Sequence, residues 1–168
     1  FLNEGITEVY GGKAYLTVGY NTKIFELDSS GIAQVYDFIL PLRNTLNVSG
    51  IEAFKKGDQE ASMAYFKANP EKVLAFEDLL IYRDYLIIMS YRWSNPQWLA
   101  YNRKTKQIIG MSNIVSDKSN DYMPLFDSSN MFVSGDYLYS YLYPSEIRAA
   151  SMKSADEGHA FPKKYQKL

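Results

Sequence analysis

Short apolar stretches separated by glycine, asparagine, aspartate and proline breaks run through most of the chain. The densest is residues 85–93, Tyr-Leu-Ile-Ile-Met-Ser-Tyr-Arg-Trp, apolar or aromatic almost without interruption. A run of this kind, bounded by turn residues, predicts a strand buried on both faces. The competing helix is disfavoured because Ser94, Asn95 and Pro96 follow at once, and proline neither donates a backbone hydrogen bond nor lets its predecessor settle into helical geometry. Residues 98–102 read as the returning strand. Arg103, Lys104, Thr105 and Lys106 then turn the chain into a further β-rich run at 107–111, so three antiparallel strands are predicted in succession.

Weaker versions of this pattern flank it. Tyr10, Gly11 and Gly12 form a turn before a strand at 13–18; 23–27 returns; Asp28, Ser29, Ser30 and Gly31 turn again into a third strand at 32–40. Asp28 reads as a turn former, because the alternating carboxylates and closing glutamate of a calcium loop do not follow it. Residues 58–68 hold strong helix formers behind the N-cap residue Asp58, with Asn69 and Pro70 as a stop. This predicts a short surface helix inserted between sheets, with Met63, Tyr65 and Phe66 packing it down. Another strand is expected within 72–82. Strands are also predicted at 131–133 and 137–143, the second with Tyr137, Tyr139, Tyr141 and Tyr143 on one face at the two-residue period. The expectation is a buried tyrosine ladder with its hydroxyls at the rim. A helix is predicted over 146–154, continuing toward Leu168.

Strand starts recur in register. Gly12 to Leu16, Asp84 to Ile88 and Asp136 to Ser140 each set a turn residue before a strand. Phe25 to Gly31 likewise matches Leu99 to Thr105. The second and third starts lie about 50 residues apart, and the wider first interval, about 70, accommodates the helical insertion. Four-stranded sheets repeated at this spacing are the mark of β-propeller blades, in which each blade buries both faces against its neighbours. A β-sandwich strand should instead alternate apolar with polar, which 85–93 does not. The fold class expected is all-β, with about three antiparallel propeller-like blades in a single unit over 1–168.

The pattern at 99–106, the loop at Asp117, Met123-Pro124-Leu125-Phe126-Asp127 and Tyr143-Pro144-Ser145-Glu146 resembles the C-terminal half of six-bladed β-propeller proteins found as lipoproteins in gut Bacteroidetes. That resemblance implies export through a lipid-anchored signal peptide, a periplasmic or outer-membrane-associated location, and a binding or scaffolding role at the envelope. It brings no catalytic residues with it. Three blades are too few for a six-bladed ring, so closure requires further chain, a second copy, or an open, capped array.

Composition narrows the chemistry. The 168 residues are 46% hydrophobic and 15% aromatic, with 15 tyrosines, which suits a packed β protein. A net charge of −1 provides no electrostatic basis for nucleic-acid binding. There is no cysteine, hence no disulfide and no thiolate metal site. No apolar run is long enough for a transmembrane helix, and the start at Phe1 is read as a processed or cut terminus. Phosphate-binding glycine motifs and a GxSxG elbow are missing, so no cofactor is implied. Asp117, Asp121 and Asp127 read as solvated loop residues, and His159, the single histidine, as an exposed bystander.

The leading expectation is a non-enzymatic module binding glycan or peptide through Tyr91, Trp93, Trp98 and Tyr101, aromatic residues that propeller loops could present for stacking. The alternative is a carbohydrate-active enzyme using Glu77, Asp78 and Asp84 with Arg83 and Arg92, although adjacent Glu77 and Asp78 should face opposite ways. A further alternative is homo-oligomerisation through open sheet edges.

Overall fold

The computed structural model describes residues 5–18, 21–47, 50–52, 57–92, 97–114, 117–118, 123, 131–156 and 158. Strands dominate. The first sheet is an antiparallel meander of β1 (Gly5–Tyr10), β2 (Lys13–Thr17), β3 (Lys23–Asp28) and β4 (Gly31–Asp37), ordered as in the sequence. The second repeats that order with β5 (Val73–Tyr82), β6 (Tyr85–Arg92), β7 (Gln97–Asn102) and β8 (Ile108–Gly110). The third is the hairpin of β9 (Met131–Ser134) and β10 (Tyr137–Ser140).

The repeat inferred from sequence corresponds to equivalent turns. Gly11-Gly12, Arg83-Asp84 and Gly135-Asp136 each close the first hairpin of their sheet. Each begins with a left-handed residue: Gly11 at φ 59°, Arg83 at 53° and Gly135 at 57°, the geometry that matches the twist of tight hairpins. The later turn recurs too. Asp28 Oδ1 accepts from the Ser30 backbone N–H at 2.8 Å, and Asn102 Oδ1 from that of Lys104 at 2.9 Å, so the side chain that starts each turn also braces it.

β6 occupies the middle of the stack. Leu86 and Ile88 point into a cluster with Tyr15, Ile24, Tyr36 and Phe38 of the first sheet and its continuation. Ile87 and Met89 point the other way, into a cluster with Trp98, Met111 and Met131 that Leu138 of the third sheet also joins. Residues 86–90 are all buried. Both faces are thus covered by protein, which is why polar alternation is missing there. The first strands of the sheets run near one another, β1 beside β5 and β5 beside β9.

α1 (Gln59–Ala68) begins where expected: Asp58 accepts from the Ala61 backbone N–H at 2.9 Å. Phe66 is buried against Leu74 and Ala75, with Tyr65 partly buried beside it. Met63, expected to help seat the helix, is 40% exposed instead, because Ser62 and Phe66, four residues apart, occupy the inner stripe. α2 spans Pro144–Asp156, starting at the proline since a first-turn residue needs no donor; Glu146 accepts from the Tyr143 backbone N–H at 2.6 Å.

Several boundaries differ from expectation. β1 was not predicted. β4 stops at Asp37, and β8 at Gly110, where Met111 opens a 3-10 turn. β10 ends at Ser140 and its tyrosine ladder is not buried: Tyr137, Tyr139, Tyr141 and Tyr143 are 43–67% exposed. The strand period ends before Tyr141, and the inward face of β10 belongs to Leu138. Asp121, Asp127, His159 and the expected extension toward Leu168 lie outside the described residues.

Candidate functional site

The four aromatics nominated from sequence do not share a surface. Trp98 is 4% exposed, within the cluster between the second and third sheets. Tyr101 packs on the opposite side, edge-on to Tyr36 and Phe38 with ring centroids 6.0 and 5.2 Å away. Tyr91 lies against the Phe66 cluster under α1. Trp93 lies outside the described residues. Trp98 and Tyr101 stand three apart on one strand, so its two-residue period sends them to opposite faces.

The acidic group of the enzyme alternative is also dispersed. Asp84 pairs with Lys104 at 2.8 Å at one end of β6, whereas Arg92 lies at the other end, 3.5 Å from Glu71. Glu77 is half-buried and Asp78 exposed, within an irregularity of β5. Burial, reinforced by the negative charge of Asp78, pushes the Glu77 carboxyl above its ordinary range. Neither Asp84 nor an arginine of that group completes a pair with it. Among the described residues, no group of three His, Asp or Glu side chains gathers to hold a metal.

A cleft of about 330 Å³ opens where β4 leaves the first sheet and β5 enters the second, with Asn21, Thr22, Asp37, Ile39, Leu46 and Val73 among its walls. Its shape follows from local chemistry. The Asn21 side chain accepts from the Lys23 backbone N–H at 2.8 Å, and the Phe38 N–H donates to the Thr22 carbonyl at 3.0 Å. These bonds keep the β2–β3 connection beside the end of β4. Phe38 turns inward and contacts Phe76 edge-on at 5.4 Å. Ile39, the next residue, is consequently thrown outward and is 96% exposed.

The far wall is held by the return of the chain. Buried Asn44 donates its Nδ2 to the Glu71 carbonyl at 2.8 Å, and Lys72 Nζ donates to the Leu42 carbonyl at 3.1 Å. Leu42 itself is 87% exposed. Asp37 meets Lys23 at 2.8 Å, with both side chains substantially solvated. The resulting site offers a carboxylate, small polar groups and an aliphatic lip. Neither periodicity nor composition pointed to it; the local signal was the apolar run Phe38, Ile39 and Leu40 continuing past the end of a strand.

A second polar arrangement lies between the first two sheets. Glu26 is 4% exposed, accepts from the Tyr36 hydroxyl at 2.7 Å and pairs with Lys13. Burial works to raise its pKa, but the hydrogen bonds from Lys13 and Tyr36 prevail and hold the carboxyl below its usual range. Burial and Glu26 push the Tyr36 phenol up. Arg103, from the β7–β8 turn, donates to the Tyr15 hydroxyl at 3.0 Å and to the Arg83 carbonyl at 2.6 Å. With its carboxylate enclosed and already partnered, this group fastens sheets together rather than meeting a ligand. No family model, curated protein or solved structure matches the chain.

Proposed function

We propose that this chain is a non-enzymatic binding or scaffold module of the cell envelope, built from propeller-type blades, whose ligand enters the cleft beside Asp37. The observation that carries this reading is the cleft itself. It combines the solvated carboxylate of Asp37, at the end of β4, with exposed Ile39, and connections between strands form most of its walls. Connections of this kind tolerate variation while the sheets behind them hold position. The aliphatic lip favours an extended peptide with an apolar side chain and a basic or amide group. A glycan would be better served by an exposed ring, and the nominated Trp98 and Tyr101 are packed between sheets.

Export and lipid anchoring rest on the resemblance to the six-bladed lipoproteins. No helix among the described residues is long and apolar enough to cross a membrane. The hydrolase or lyase reading is less well supported, because none of Glu77, Asp78 and Asp84 lines the described cleft, where paired carboxylates would be needed. The test is a peptide and glycan array probed with the chain and with Asp37→Asn and Ile39→Asp. Loss of peptide signal in both variants, with an unchanged circular dichroism spectrum, supports the assignment. Binding that survives both, or signal confined to glycans, overturns it.

A further inference from the structure

The three sheets present equivalent faces because their first hairpins are in equivalent register. Tyr15, Ile87 and Tyr139 hold the same place in the second strand of their sheets, as do Leu16, Ile88 and Ser140. Tyr15 is buried against the second sheet, and Ile87 is buried toward the third. Tyr139 faces the same way, and among the described residues no sheet follows it: it is 43% exposed, its ring stacked on Phe132 at 5.1 Å, with Tyr137 67% exposed beside it. The opposite end mirrors this. Ile88 is buried against the first sheet, whereas its counterpart Leu16 lies on that sheet's outer face with Phe25 and Val35, matched by direct strand pairing. Leu16 and Phe25 are only half-buried and Val35 is 43% exposed.

The stack therefore ends in two apolar faces of opposite kind. Each is the type of surface that the other type covers at the two internal interfaces. A sheet face that is buried in one repeat and open in its equivalent is complementary to the open face at the other end. These two ends belong to one stack and point away from each other. A second copy supplies both missing partners at once.

We infer that two copies of this chain pair head to tail, the Phe132, Tyr137 and Tyr139 face of each covering the Leu16, Phe25 and Val35 face of the other. A contact of unlike surfaces closes only when its rotation completes a ring, and two three-sheet stacks complete a six-sheet ring if the sheets are propeller-type blades. In that respect the inference rests on the fold assumed in the proposed function, but it does not involve the cleft ligand.

Light scattering is expected to give twice the chain mass of 19.3 kDa at high micromolar concentration. Phe25→Asp and Tyr139→Lys should each give monomers, since each spoils one member of both contacts. Mixed together they should dimerise again, through one native contact and one Asp–Lys contact. Should either variant lose its circular dichroism spectrum, Val35→Lys and Tyr137→Asp, at more exposed positions, replace them with the same expectation. A monomeric native chain overturns the inference; if peptide binding at the cleft persists in that monomer, the proposed function stands without it. A dimer that persists in one single variant means like faces meet, and a trimer or fibre means the ring does not close at two. Either result also overturns the inference.

Discussion

Replacing Ile87 or Ile88 by alanine should destabilise the protein by similar amounts although the two side chains point in opposite directions. Ile88 is 0% exposed in the cluster shared with the first sheet, and Ile87 is 2% exposed in the cluster reaching the third. Each truncation removes three buried carbons, about 2.4 kcal/mol of transfer free energy at ~0.8 kcal/mol per methylene. Incomplete collapse around the vacated space adds to this, giving about 3 kcal/mol for each, within the usual range for such truncations. Ile109, on the edge strand β8 and 45% exposed, is the control and should lose less than about 1 kcal/mol on the same change. The assay is equilibrium urea unfolding followed by circular dichroism, with stability obtained from the midpoint and slope. If Ile88→Ala cost about 3 kcal/mol and Ile87→Ala less than about 1, one face of β6 would be open to water and the three-layer packing would be wrong.

Other consequences follow from single contacts. The Glu26 carboxyl is depressed in the folded protein, so its contribution is present above its ordinary value of 4.5 and is lost as pH falls through the lower folded value. Acid titration of native stability should therefore fall below pH ~4.5 more steeply than that of Glu26→Gln, and parallel curves would refute the ion-pair assignment. Asp58→Ala removes the acceptor for the Ala61 N–H and should cost about 1 kcal/mol in urea unfolding, whereas Asp58→Ser should recover most of it. At Gly50 an added Cβ would lie 2.6 Å from the Tyr65 ring, whose hydroxyl donates to Asn47 at 2.9 Å. Gly50→Ala should accordingly lower stability by about 1–3 kcal/mol, and a melting temperature equal to that of the native chain would contradict this packing.

What could be read in the sequence was what local patterns control. The hairpin of β6 and β7 carried a long apolar run and a proline-containing turn, α1 carried its own cap and stop, and turn residues marked the three equivalent hairpins. β1 was harder to see because Gly5-Ile6-Thr7-Glu8 has little apolar continuity; backbone pairing with β2 makes it a strand. The tyrosines from 137 to 143 matched a strand period, yet period alone does not reveal whether a further sheet covers them. Glu26 was equally invisible: an acidic residue in an alternating strand reads as solvent-facing until the folded sheet places Lys13, Tyr15 and Tyr36 around it. Trp98 and Tyr101 illustrate the converse, since aromatic residues near a loop suit packing and recognition alike and only the neighbouring sheets separate the two roles. The cleft depends on chain segments more than thirty residues apart, roughly the distance over which no local pattern speaks.

Methyl-resolved nuclear Overhauser spectroscopy on selectively labelled protein tests the layered packing most directly. Leu86 and Ile88 methyls should show contacts with Ile24 and the Tyr15 and Tyr36 rings, while Ile87 and Met89 should show contacts with the Met111, Met131 and Leu138 set. Contacts from only one of these alternating pairs, with the other seeing water alone, would contradict that packing.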